Sequence, residues 1–174
     1  MIRIRLSTDQ DMPEITAIYA HFVLHSTATF ETEAPTQHDM TIRRADVLAK
    51  GLPYLVITQG NEVMGFAYAN WFKPRAAYRF SAENSIYLRH DAAGKGFGRL
   101  LLAELLTQLE RRGIRKVMAV IGGSDNLASI GLHLALGFTH AGLVEGAGWK
   151  QERWLDLVLM QRILGLGSSQ PPAA

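Results

Sequence analysis

Three glycines stand at alternate positions in Gly94-Lys95-Gly96-Phe97-Gly98, between the apolar run Ser85 to Leu88 and a helical run from Arg99 to Arg112. A strand that turns through bare backbone into a helix leaves the helix's first N–H groups without internal partners, beside the positive end of its dipole. Such a junction can hold a phosphate through main-chain donors, and the ligand expected is a nucleotide-like cofactor. Glycines at a tight turn have a purely structural reading as well, because turns require their backbone freedom. A second stretch, Phe72 to Ser81, carries Lys73, Pro74, Arg75, Tyr78 and Arg79, and reads as a loop with polar and aromatic groups free for a ligand.

Two rival phosphate loops fail on the residues. A P-loop needs Ser or Thr after its lysine to hold magnesium, and Lys95 is followed by Gly96. A dinucleotide fingerprint begun at Gly94 needs a small residue where Arg99 stands; begun at Gly96, it meets Leu101.

The positioning elements follow from periodicity. Met1 to Leu6 alternates apolar and basic residues and reads as a first strand. Asp11 is placed to cap a helix with Pro13 in its first turn and Ile15, Ile18, Tyr19, Phe22 and Val23 on one face. Ser26 to Ala34 has no period, and a second helix is expected from Thr36 or His38 to Lys50. Tyr54 to Gln59 and Glu62 to Trp71 form a hairpin about Gly60-Asn61. A strand from Ala82 to Leu88 precedes the glycines, and the helix after them buries Leu101, Leu102, Leu105, Leu106 and Leu109. Lys116 to Ile121 is a strand, Asn126 to Leu136 a helix, and Thr139 to Glu145 and Arg153 to Met160 are the last strands. Hairpins mixed with crossovers predict an α/β or α+β sheet with helices against it.

The chain of 174 residues, 48% hydrophobic, is sized for one domain, expected over residues 1–164, with a flexible tail at 165–174. A formal charge of +2 with interleaved signs gives no basic arm, so no nucleic-acid partner is expected. Without cysteine there is no disulfide, thiol nucleophile or thiolate metal site, which suits a reducing cytoplasm. No run approaches the roughly 18 apolar residues of a membrane span.

Taken with the element order, the glycine motif resembles that of the GCN5-related N-acetyltransferase (GNAT) family over nearly the whole chain. The family's Gln/Arg-x-x-Gly-x-Gly/Ala is met by Ala93 to Gly98, with Ala93 departing from the usual first residue. A second segment, Asn126-x-x-Ser129-Ile130-x-Leu132-His133-x-x-x-Gly137-Phe138, is similar to the family's late helix. The phosphinothricin and methionine sulfoximine acetyltransferase subgroup is resembled at Thr27 to Thr32, Lys73 to Tyr78, Glu83 to Leu88 and Trp154 to Asp156 with Gln161-Arg162.

The resemblance implies a mixed, largely antiparallel sheet of about seven strands with helices on both faces. It implies acetyl-CoA as co-substrate, no metal, a small-molecule amine as acceptor and a homodimer. Gly94, Lys95, Gly96, Phe97, Gly98 and Arg99 would hold the pyrophosphate, Asn126 the pantetheine arm, and Ile86, Tyr87 and Leu88 the thioester end, with a backbone N–H there facing the oxyanion. Glu83 and His133 would be the catalytic pair. Glu83 would take the amine's proton if burial raises it from about 4.3. His133, ordinarily near 6.5, could give a proton to the thiolate or take one from the amine, and Tyr87 and Tyr19 are alternative acids. Arg75 and Arg79 would grip an anionic group of the acceptor, with Phe30 and Tyr78 as walls. Another amine, or a non-catalytic CoA sensor, is the alternative.

Overall fold

A computed structural model describes residues 1–172. The last two positions of the expected tail, 173 and 174, lie outside the described residues, while 165–168 form turns that start from the buried Leu164. Seven strands form one sheet: β1 (Ile2–Leu6), β2 (Tyr54–Gln59), β3 (Glu62–Trp71), β4 (Ser81–Leu88), β5 (Lys116–Gly122), β6 (Thr139–Lys150) and β7 (Arg153–Ile163). Their spatial order is β1-β2-β3-β4-β5-β7-β6, and all neighbours are antiparallel except β4 and β5. The mixed, largely antiparallel sheet expected from the resemblance is the one observed.

Helices α1 (Met12–His25) and α2 (Gln37–Ala49) cover one face, and α3 (Phe97–Arg111) and α4 (Leu127–Ala135) the other. On the first face an aromatic stack runs across the strands, with Tyr54, Tyr68 and Phe66 nearly parallel and Tyr87 inclined by 27° to Phe66, and Tyr19 of α1 meets Tyr87 edge-on at 5.0 Å. On the second face α3 buries the five leucines of its stripe. At about 1.5–3 kcal/mol for each fully buried leucine, this stripe is ample to hold the helix and its glycine entry against the sheet.

Several boundaries differ from the periodic reading. α3 begins at Phe97 rather than Arg99, since Gly96 takes a left-handed φ of 82° as N-cap and Gly98 is already helical. Asp11 makes no side-chain cap to α1. Its carboxylate accepts from Arg5 and from the Thr8 N–H and hydroxyl, closing a short 3-10 turn instead. β6 and β7 run five and three residues further than the pattern shows. Bulges in β6 between His140 and Gly142 and between Val144 and Gly148 break the alternation by which a strand is recognised.

Candidate active site

The parallel pairing of β4 with β5 covers only Ser81–Lys116 to Asn84–Ala119. Past that point β4 stays paired to β3 as far as Leu88, and β5 stays paired to β7 as far as Gly122, so the two strands separate without fraying. The gap opens a cleft of about 700 Å³ that passes through the sheet. Phe22, Thr27 and Ala28 line it from the α1 side, while Gly98, Leu132 and His133 line it from the α3–α4 side.

At the mouth, Gly94 and Gly96 hold φ of 75° and 82°, a region other residues rarely occupy, and aim the α3 N-terminus into the cleft with Gly98 and Arg99. Gly98 is small for a packing reason: an added Cβ would lie 3.3 Å from both Leu88 and Leu132. Lys95 and Phe97 do not line the cleft. The Phe97 side chain is in the core, 2% exposed, so only its backbone belongs to the helix N-terminus. Ile86, Tyr87 and Leu88 form the β4 wall, with their edge toward β5 unpaired. Asn126 lines the cleft too, but its Oδ1 already accepts from the Ser129 N–H as the α4 N-cap.

Glu83 and His133 are not brought together. Unbroken register with β3 places Glu83, Ser85 and Tyr87 on the α1 face, and Asn84, Ile86 and Leu88 on the α3–α4 face with His133. Glu83 does not line the cleft. It is half-buried, and burial raises its pKa above the usual carboxylate value, with the Lys73 charge opposing. His133 is 2% exposed. Its Nδ1 lies 2.7 Å from the Ser129 carbonyl oxygen, which can only accept, so Nδ1 carries the proton. Nε2 therefore accepts from Asn84 Nδ2 at 3.0 Å. Burial lowers the pKa of this ring, partly offset by the Ser129 bond, and the neutral form is favoured.

The alternative acids are less suited to proton release near neutrality. Burial, with the Glu31 contact, pushes Tyr19 up to about 12, and its hydroxyl donates to Glu31 Oε1 at 2.6 Å. Tyr87 is raised well above its ordinary value by burial among aromatic rings.

Arg75, Tyr78 and Arg79 are exposed and do not line the cleft. Arg79 bonds the Ala76 carbonyl oxygen and lies over Phe80, with its guanidinium carbon 4.6 Å from the ring centroid, and Tyr78 packs on Phe72. Phe30 is also outside the cleft lining, seated over Gly122 and Gly148. Its segment, aperiodic in sequence, is ordered by side chains: Thr29 meets the Tyr19 hydroxyl, Glu31 pairs with Arg43, and buried Lys150 donates to the Thr29 carbonyl oxygen at 2.8 Å. Sequence reasoning missed Thr27 and Ala28 as cleft walls, and it missed Asn84. A polar residue amid Ala82, Ile86 and Leu88, on the buried side of an alternating strand, was the available signal for Asn84.

The Acetyltransferase (GNAT) family model matches residues 16–138. The chain belongs to the GNAT acetyltransferase family. The acetyltransferase is 47% identical to the phosphinothricin N-acetyltransferase of Alcaligenes faecalis over 169 residues, covering 97% of this chain and 86% of that one. It is 40% identical to the L-methionine sulfoximine/L-methionine sulfone acetyltransferase of Pseudomonas aeruginosa over 166 residues, 92% of this chain and 94% of its relative. Among solved structures, a Sinorhizobium meliloti phosphinothricin acetyltransferase in complex with AcCoA superposes with a TM-score of 0.96 at 42% identity, covering 99% of this chain and 93% of that one.

The seat of Phe30 yields a packing prediction. Gly122→Ala would place Cβ 2.7 Å from the Thr27 carbonyl oxygen and 2.9 Å from the Phe30 ring. Denaturant unfolding should show a loss of about 1–3 kcal/mol, as overpacking of a close contact does. Wild-type stability in this variant would mean that the segment has room to yield.

Proposed function

We propose that the protein transfers the acetyl group of acetyl-CoA to the amine of a small amino acid analogue of the phosphinothricin, methionine sulfoximine and methionine sulfone type. The observation that carries this reading is the single cleft joining a helix N-terminus, suited to a pyrophosphate, to an unpaired β4 edge and on through the sheet. The residues fit the donor. Gly94, Gly96, Gly98 and Arg99 would hold its phosphates, and Ile86 to Leu88 offer main-chain groups to its extended arm. Acetyl-CoA supplies an activated acetyl thioester. The relatives of known acceptor support the substrate class, since both named groups act on amino acid analogues.

An amino acid's amine is protonated near neutrality and must lose a proton before it can attack. Glu83 is the base in this reading, on the α1 face from which the acceptor would enter, acting directly or through a water. Its raised pKa brings it nearer the working range, where a base is most effective. His133, neutral and bonded through both ring nitrogens, is assigned no proton transfer. Arg75 and Arg79 meet an anionic acceptor only if their loop folds inward, and Lys73, whose charge acts on Glu83, is the cation of that loop nearer the base.

The same reading includes a homodimer in the cytoplasm, a compartment compatible with a chain that has no cysteine. Its support is the outer strand β6, whose Leu143, Val144 and Trp149 are exposed, with Trp149 packed on the exposed Trp154. Sedimentation should give a dimer for the wild type and a monomer for a Trp149→Glu, Trp154→Glu double variant. A monomeric wild type would rule out the dimer.

Thiol release from acetyl-CoA should depend on added phosphinothricin, methionine sulfoximine or methionine sulfone. No release with any of the three would reject the acceptor class. With Glu83 as base, activity rises with pH through its raised pKa. Glu83→Gln should lower turnover by roughly 10²-fold and abolish that acidic limb while leaving CoA affinity nearly intact. An unaltered pH profile would take the role away from Glu83.

A further inference from the structure

Asn84 closes the gap between β4 and β5, since Asn84–Ala119 is the last pair before the strands part. It lines the cleft at that point and is 6% exposed. Its Oδ1 is buried with no hydrogen-bond partner. The orientation of the amide is not free. Nδ1 of His133 donates to the Ser129 carbonyl oxygen, so Nε2 presents a lone pair, and only the Nδ2 side of Asn84 can meet it. The reversed amide would set two acceptors against each other. Oδ1 is thus turned away from His133 as a buried, unpaired acceptor on a residue that lines the cleft, and such an acceptor is costly enough to call for a ligand group or water.

We propose that Asn84 is a positioning residue for the donor's pantetheine arm, its Oδ1 accepting from the amide N–H next to the thioester, with His133 holding the Asn84 amide in place. The inference deepens the acetyl-CoA reading and rests on it. The face decides between donor and acceptor. Asn84 projects to the α3–α4 side, the side of Gly98, Ser129 and His133, whereas Glu83 and the acceptor's approach lie on the other. The arm bears secondary amides, each with an N–H that must be satisfied when it leaves water, and the one nearest the thioester lies closest to the end of the gap. In this arrangement His133 serves the reaction through Asn84 and not by moving a proton.

Calorimetric titration of the full chain with CoA and with adenosine 3′,5′-bisphosphate, which lacks the arm, tests this. The wild type should bind both. Asn84→Ala should bind CoA roughly tenfold more weakly, the loss expected of one hydrogen bond to a buried group, with the bisphosphate unchanged. His133→Phe, which keeps a ring but frees the Asn84 amide to rotate, should show a loss of the same kind. Equal CoA affinity in wild type and Asn84→Ala overturns the inference, and so does a loss shared by the bisphosphate, which would mark Asn84 as merely structural. A wild type that binds neither ligand overturns the acetyl-CoA reading itself, and the inference with it.

Discussion

The structure depends on the point at which two parallel strands stop pairing. β4 and β5 hold each other for four residue pairs and then separate, although each continues in register with its other neighbour. A sheet edge in the middle of a protein exposes main-chain donors and acceptors, and unpaired backbone groups there are unfavourable unless water or a ligand meets them. The β4 bank is held on both of its faces, and the β5 bank by its pairing with β7. The leucine stripe of α3 packs on β2, β3 and β4 and, at the glycine entry, brings a helix N-terminus to the mouth. The aromatic stack that includes Tyr87 holds the other face of β4 against α1.

That geometry gives β4 two distinct faces. Alternation sends Glu83 one way and Asn84 the other, and the proposed reaction puts its acceptor on the first face and its donor on the second. Burial then acts oppositely on the two ionisable groups. It raises the Glu83 carboxyl toward the range where a base is useful, and it lowers the His133 imidazole, which stays neutral and fixes a neighbouring amide. A carboxylate–histidine pair in direct contact would have favoured the charged form of both, and the sheet lies between them instead.

The parts of this that were legible in the sequence share a local cause. The glycine junction is one contiguous run, the α3 stripe repeats at helical spacing, the parity of β4 follows from its period of two, and two separated motifs identify the family. What stayed hidden depends on distant partners. Ser26 to Ala34 has no period because its order comes from Tyr19, Arg43 and Lys150, the last of them 121 residues from Thr29 in sequence. The Asn84–His133 bond spans 49 residues, and no pattern within either element announces it. The loop of Arg75 and Arg79 carries residue types that suit anion binding, and in the structure both side chains are exposed, Arg79 resting on Ala76 and Phe80 of its own loop.

In the proposed reaction donor and acceptor meet through the gap beyond Asn84 and Ala119, with the base on the α1 face. A crystal structure of the protein with CoA and methionine sulfone tests that placement. The CoA phosphates should lie at Gly94 to Gly98, the sulfur in the gap on the His133 side, and the amine of the acceptor on the Glu83 side within reach of its carboxylate or one water. An acceptor bound on the α3–α4 face, or an arm lying outside the gap, would overturn it.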